Sequence, residues 1–568
     1  MQTEEPKLNK RERYKARLRP IDYFEEFEDL DFENLGEGDR FFLQDFGIFT
    51  TDFLEDEFTM RLRVPAGRIT TEQFSYIADV VEEFDLTVIT TARGGLQLHD
   101  IDVDDVLAIW KKLNSHGLTT WQSFGDNIRN IVSDAFDGRG KYSEIEAYPI
   151  IMQMQDYIVK NPRYVGMLPR RVSIGISGNS ASVTSFFAND LYFALAKKND
   201  VYGFNVYMGG KNTDIAQDAD IFLLETQVFD FFKAFVEAFY LHGSRFSRSK
   251  TRLFYLIEDI GLNVLKAHIE KEYGKAFEHG GELQLEKKLF SAHEELKDGT
   301  FSYCYQTDFA RLNVDEMKEI SKFASQNSVE IRIGVDQNIY LLGLKEASTP
   351  FASPKESSTI ITCAGSLCPY SFWSIKNETQ YLPLTKIAEH GITVGFSGCI
   401  KGCGRHRHTD IGLVGLKTNN FGDTDGGARI FIGAVHTTGQ SVGRMLFSMV
   451  PLVHLYETLE LIIKLYELSE YSNFEEFSDA ILNKFSEEFL ALWVLANLQS
   501  GKALKLEPTS SGFEYEKSLL KTNFADVDFL EPIDEEFSHS ISAMAKKLWT
   551  VAGEDPTYKP KINRVNFR

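Results

Sequence analysis

Four of the five cysteines fall within 41 residues, as Cys363 and Cys368 and then Cys399 and Cys403. The second pair sits in the glycine-rich run Ser397-Gly398-Cys399-Ile400-Lys401-Gly402-Cys403-Gly404-Arg405. Four thiolates delivered by two loops are what a [4Fe–4S] cube requires. Glycines between the ligands let the backbone turn tightly around a bulky inorganic core. A structural zinc site is the rival reading, but zinc favours Cys-x2-Cys pairs and neither pair has that spacing. The fifth, Cys304, lies between aromatics in a strand-like stretch and reads as a small buried side chain.

The elements that must position these thiolates belong to a chain of 568 residues, long enough for several domains. Its net charge of −22 argues against a nucleic-acid or anionic-membrane partner, so any anionic ligand needs a local cationic pocket. The segment from Met1 to Pro20 is charged and lacks an apolar core, which excludes a secretory signal and suggests a solvated or loosely wrapped arm. No apolar run reaches the roughly 18 residues of a spanning helix. The nearest, Met445 to Tyr466, is broken by Pro451, His454, Glu457, Glu460 and Lys464. Clustered cysteines without a signal point to a reducing cytoplasm. Neither a G-x-G-x-x-G nor a Walker pattern occurs, so reducing equivalents are expected from a separate protein.

The chain contains itself twice. At an offset of 243 residues, Phe58 matches Phe301, Arg68-Ile69-Thr70 matches Arg311-Leu312-Asn313, and Leu96-Gln97-Leu98 matches Ile339-Tyr340-Leu341. Each copy reads as an alternating strand, a helix opened by a Thr or Asn cap with an acidic first turn, and two short strands. Each precedes a longer α/β region. The first has strands expected at Arg171–Ile176 and Val201–Met208 and a helix at Phe229–Tyr240. The second carries the cysteines and a helix at Leu452–Leu468. Arg93 of the first copy aligns with Asp336 of the second, so one half supplies cations and the other thiolates. The tail from about Glu507 reads as charged loop with one helical piece, Ser540–Leu548.

These features resemble the nitrite/sulfite reductases that depend on siroheme and a [4Fe–4S] cluster. Gly398-Cys399 through Cys403, followed by Asp410-Ile411-Gly412, matches the family's second cysteine pair. Thr91-Ala92-Arg93 with Gln97-Leu98 matches its first half-repeat. Gly125-Asp126-Asn127-Ile128-Arg129-Asn130, Leu168-Pro169-Arg170 and Gln337-Asn338 match further segments. The resemblance implies an α+β fold, with two ferredoxin-like modules and two siroheme-binding α/β lobes in a pseudo-twofold duplicated arrangement. The implied divisions are a charged arm (1–40), ferredoxin-like half 1 (41–120), lobe 1 (121–290), ferredoxin-like half 2 (291–355), the cluster-bearing lobe 2 (356–505) and a tail (506–568).

The same resemblance implies six-electron reduction of nitrite to ammonia or sulfite to sulfide, with electrons from a ferredoxin or flavoprotein. Cys363, Cys368, Cys399 and Cys403 would ligate the cube, and Cys403 would also be axial to the siroheme iron. Arg93, Arg129 and Arg171 would form the anion pocket, with Gln97, Asn130 and Asn338 contacting cofactor. Guanidinium forks suit that task because they bind oxyanions bidentately and stay charged. The family's active-site Lys-x-Lys, or Lys-x-Asn in its nitrite reductases, stands here as Arg171-Val172-Ser173. One charge fewer at that pair leans toward singly charged nitrite. The loop Cys363-Ala364-Gly365-Ser366-Leu367-Cys368 is one residue shorter than the family's. Arg405-His406-Arg407-His408 reads equally as a solvated loop, as contacts for siroheme carboxylates, or as a docking patch for an acidic carrier. Two rivals remain at this level: an iron–sulfur or siroheme electron-transfer protein without turnover, and a zinc-stapled scaffold.

Overall fold

The computed structural model of the chain describes residues 7–51, 57–351, 360–420 and 423–524, so the helix expected at Ser540–Leu548 lies outside the described residues. The chain divides into two compact units between residues 355 and 356. In the first unit the N-terminal arm is not loose. Helix α1 (Lys10–Arg17) starts at Asn9, whose Oδ1 accepts the Arg11 and Glu12 amides at 3.0 and 3.3 Å. It buries Glu12 and Lys15, because Lys15 Nζ finds Asp126 at 2.9 Å. Seven basic residues in the first 20 suggest a solvated segment; one buried counter-ion overrides that reading.

The first ferredoxin-like half comprises β1 (Glu57–Arg61), β2 (Arg68–Ile69), α2 (Thr71–Glu83), β3 (Thr87–Thr91) and β4 (Gly95–Asp102). Lobe 1 follows with β5 (Ile174–Ser177), β6 (Leu191–Lys198), β7 (Val201–Met208), β8 (Gln217–Leu223) and α3 (Val228–His242). The strand expected from Arg171 begins at Ile174, since Val172 bridges Ile128 and Ser173 is tied to Asp190. The second ferredoxin-like half repeats the first as β9 (Phe301–Tyr305), β10 (Arg311–Leu312), α4 (Val314–Asn327), β11 (Glu330–Ile333) and β12 (Ile339–Leu344).

Both helices open on reciprocal caps: Thr70 with Gln73, and Asn313 with Glu316. The halves trade strands. Strand β2 of the first pairs with β11 of the second (Ile69 opposite Ile331), and β10 of the second pairs with β3 of the first (Leu312 opposite Val88). Gly67, at φ +70°, makes that crossing possible, because a Cβ there would lie 2.0 Å from the Ile333 carbonyl oxygen. One core serves both halves: Phe74 and Ile77 pack in the same cluster as Met317 and Ile320, all fully buried. Burial of each such side chain contributes roughly 1.5–3 kcal/mol.

The second unit builds one sheet from β13 (Ile360–Thr362), β14 (Val394–Ser397), β15 (Ile411–Asn420), β16 (Asp423–Ile432) and β17 (Arg444–Pro451), followed by α5 (Leu452–Glu467). Its parallel strand pair repeats that of lobe 1 at an offset of 220 residues, and the hairpin after it is four residues longer. Parallel pair β5/β6 sets Ile174 opposite Leu191, and parallel pair β14/β15 sets Val394 opposite Ile411. A hydroxyl–carboxylate clasp recurs in the same register. Ser173 N and Oγ donate to Asp190 Oδ2 at 2.8 and 2.6 Å; Thr393 N and Oγ1 donate to Asp410 Oδ2, both at 2.8 Å. Beyond the clasp the lobes diverge. Arg252 grips Asp190 Oδ1 at 2.8 Å, whereas His436 Nε2 lies 3.6 Å from Asp410 Oδ1 and 3.8 Å from Glu475 Oε1.

Candidate functional site

In the first unit the period-2 alternation of an extended chain sends Arg61 and Arg63 to the same side, with the buried Leu62 between them facing the core. Arg63 is buried and grips main chain: Nη1 donates to the Ile128 carbonyl at 2.7 Å and Nη2 to that of Arg129 at 3.3 Å. The segment 122–130 is thereby fixed with Arg129 beside Arg61. The Arg61 guanidinium lies 3.9 Å from the Phe124 ring centroid and that of Arg129 5.8 Å from it. Both donate to the Ser123 carbonyl. Arg93 stands on the β3–β4 turn, where its Nη1 meets Asn189 Oδ1 at 3.4 Å and its carbonyl accepts from Asn130 Nδ2 at 2.8 Å.

These guanidiniums crowd one another. Burial, then Arg61, Arg171, Arg93 and Arg170, pushes Arg129 well below the ordinary arginine range. Arg129 Nε is buried without a hydrogen-bond partner among the described residues. Asp45, which feels the charge of Arg129, is pushed up to about 7 by burial despite a bond from Asn127, so it is a weak counter-ion near neutrality. Buried like charges of this kind are costly unless an anion completes them. Such a donor set fits a polycarboxylate and a small oxyanion.

Arg93, Arg129 and Arg171 are therefore brought together, and Arg61 and Arg170 join them. Arg61 went unseen in the sequence because no motif marks it and its repeat mate is Cys304. Gln97 stands opposite Arg61 on neighbouring strands. Asn130 binds the Val64 and Arg93 carbonyls through Nδ2, and its Oδ1 is buried without a hydrogen-bond partner among the described residues. Asn338 is engaged in its own hairpin, accepting from Thr307 N at 3.2 Å and donating to Asp336 Oδ2 at 2.9 Å. The reading of Ser173 as a pocket position needs correcting, since the residue is fully buried and spent on Asp190. At the mates of Arg61, Arg93 and Gln97 stand Cys304, Asp336 and Tyr340. Here Tyr340 Oη donates to Asp336 Oδ2 at 2.6 Å, and burial raises both the Cys304 thiol and the Asp336 carboxyl. At these three paired positions only the first copy carries cations.

In the second unit Cys363, Cys368, Cys399 and Cys403 are free thiols that act on one another electrostatically. Burial pushes Cys363 up to about 11 and raises Cys368 and Cys399, with the Cys403 sulfur adding to each. A metal centre bound by these thiols would deprotonate them against that burial. The shortened loop closes as one 3-10 turn over Gly365–Leu367. Gly365 sits at φ +67°, where a Cβ would meet Ser374 Oγ at 2.4 Å. The Gly365 and Gly398 amides donate to Cys363 Sγ at 3.3 and 3.1 Å. This donor set fits a [4Fe–4S] cluster.

The segment after Cys403 is not a solvated loop. Arg405, His406 and His408 are buried, and His406, bonded to Ser397 Oγ, is pushed down to about 3 by burial and then by Arg407, His408 and Arg429. Arg405 is thus withdrawn from any docking role. Lys401 remains at the surface, 3.2 Å from the centroid of the Tyr370 ring.

Residues 124–277 match the nitrite and sulphite reductase 4Fe-4S domain, and residues 54–116 match the nitrite/sulfite reductase ferredoxin-like half domain. A ferredoxin–nitrite reductase of Synechococcus elongatus is 27% identical over 463 residues, covering 75% of this chain and 90% of the relative. The chloroplastic ferredoxin–nitrite reductase of Spinacia oleracea is 28% identical over 433 residues, covering 69% and 72%. The Mycobacterium tuberculosis NirA protein superposes with a TM-score of 0.75 over 85% of this chain and 97% of that one, at 20% identity, which speaks for the fold.

Proposed function

We propose that this chain, which carries matches to two domains of the nitrite and sulfite reductases, is a member of that family and reduces nitrite to ammonia with six electrons from a ferredoxin. The observation that carries the proposal is the crowding of Arg61, Arg93, Arg170 and Arg171 around Arg129. The relatives' names supply the donor and the substrate. Sulfite, a doubly charged anion, is the second substrate to test, because Arg61 and Arg170 add cations that the count at Arg171-Val172-Ser173 left out.

In this reading Cys363, Cys368, Cys399 and Cys403 would hold the [4Fe–4S] cluster, and Cys403 would also hold siroheme. When bound, the two groups supply one-electron transfers to the substrate. The arginines do the rest. A cation about 4 Å from an anion contributes roughly 4 kcal/mol at an effective dielectric near 20, so several overcome the negative field of the whole chain. The overall balance takes up eight protons with six electrons and releases ammonium and two waters. A guanidinium is a poor acid, so the immediate donor is water oriented by these side chains, and each proton lost is replaced from solvent.

Purified holoprotein, driven by reduced viologen dye, tests the proposal through kcat/KM for nitrite and sulfite. Turnover of nitrite to ammonium with one siroheme and five iron atoms per chain, four of them with acid-labile sulfide, is the expected result. Protein carrying zinc in place of iron, or fully loaded protein without turnover, refutes it.

A further inference from the structure

Lys15 lies more than a hundred residues from the segments that carry Arg129 and Arg170-Arg171, yet its ammonium joins those two segments. Its Nζ meets Asp126 Oδ2 at 2.9 Å, the Leu168 carbonyl at 2.7 Å and Glu12 Oε1 at 2.7 Å. Asp126 opens the segment that ends in Arg129-Asn130, and Leu168 opens the segment that ends in Arg170-Arg171. The three donors of one ammonium are used, and the Lys15 side chain is 2% exposed. Glu12 in turn holds Arg245 Nη1 at 2.6 Å, and the Arg245 carbonyl accepts from Asn9 Nδ2 at 2.7 Å, which locks α1 in place.

Asp126 is a shared hub. Arg248 binds it bidentately at 2.7 and 2.8 Å, and Arg170 approaches at 3.6 Å. Burial alone would raise its carboxyl, but Lys15, Arg248 and Arg170 together hold it below the usual carboxylate range. From this geometry we infer that Lys15 is a positioning residue for the anion pocket, occupying Asp126 so that Arg170 and Arg171 stay with Arg129. The inference rests on the nitrite reading above. Without the ammonium, Asp126 must be satisfied by Arg248 and Arg170. Arg170 is the partner free to move, being the more distant one with a side chain 31% exposed.

The test uses full-length holoprotein with Lys15→Met, Lys15→Gln and the control Lys10→Met, whose ammonium meets Glu37 at the surface of the same helix. Lys15→Met is expected to raise KM for nitrite at least fivefold, with kcat within twofold and siroheme and iron contents unchanged. Lys15→Gln, which keeps a donor for the Leu168 carbonyl, gives a smaller rise, and Lys10→Met none. In the Lys15→Met background, Arg170→Met has less effect on KM than in the wild type, because Arg170 has already left the pocket. A KM within twofold of wild type overturns the inference, as does a joint fall in kcat and siroheme content at constant KM. Should Lys15→Met not accumulate, Lys15→Gln is read by the same criteria. Wild-type protein that neither binds nor reduces nitrite sinks the functional reading, whereas normal wild-type kinetics with unaltered variants sink this inference alone.

Discussion

Replacing Ser173 separates a pocket residue from a structural clasp. Its hydroxyl donates to Asp190 at 2.6 Å and accepts the Asp190 amide at 3.1 Å. A hydrogen bond to a charged acceptor contributes about 1.5–3 kcal/mol. Ser173→Ala leaves Asp190 with the Ser173 amide and Arg252, so the expected loss is about 2 kcal/mol, at the lower part of that range. On a scale of roughly 2–4 °C per kcal/mol, thermal unfolding moves down by about 4–8 °C. Ser173→Lys adds a long cation at a fully buried position, where overpacking costs a further 1–3 kcal/mol or so. It also sets that cation against Arg252. Thr393→Val, at the equivalent clasp in the second unit, is expected to cost a similar amount. The assay is thermal unfolding of each variant beside kcat/KM for nitrite and sulfite. Ser173→Ala should leave the ratio of the two within about twofold while Tm falls. A Ser173→Lys protein with wild-type Tm and a tenfold shift toward sulfite would refute the clasp and return residue 173 to the pocket.

Arg61→Met is expected to raise KM for nitrite by about 10- to 100-fold, since a lost cation contributes roughly 1.4–2.8 kcal/mol on that scale; steady-state kinetics at two salt concentrations check it. Cys399→Ser should abolish acid-labile sulfide and turnover, whereas Cys304→Ser leaves activity near normal, as iron and sulfide analysis with dye-driven assay will report. Asp45 gives a pH signature: its folded carboxyl is raised to about 7. A proton held more tightly folded than unfolded makes stability greatest below the unfolded pKa, near 4, and lets it decline as pH rises to about 7. Asp45→Asn should therefore gain Tm relative to wild type progressively across that window and hold a constant advantage above it; parallel melts from pH 4 to 9 measure this.

The ferredoxin-like repeat was legible because its register is carried by local signals: caps at Thr70 and Asn313 and matched apolar faces at Phe74 and Met317. The cysteine set was legible from residue type and spacing. Arg61 was not, because its role depends on Phe124 and Arg129 folding back onto it, which no local pattern records. Ser173 was misplaced for the complementary reason. Its family position suggested the pocket, but a carboxylate 17 residues later, Asp190, captures the hydroxyl. The arm's fate turned on a single buried acceptor, Asp126, far away in sequence. The recurrence of the parallel pair and its clasp at 220 residues emerged from strand pairing, because only short identities such as Gly175 with Gly395 and Asp190 with Asp410 survive in the residues themselves.

The traded strands of the ferredoxin-like halves have a consequence for biosynthesis. Ile69 completes its sheet only by meeting Ile331, so some 260 residues must leave the ribosome before the first half can close. At about 5–20 residues per second that is a wait of roughly 13–50 s with sheet edges open. Nascent chains stalled before residue 330 should be protease-sensitive through Arg68–Ile69 and should occupy chaperones, and lobe 1 would be the earliest part of the chain able to finish folding.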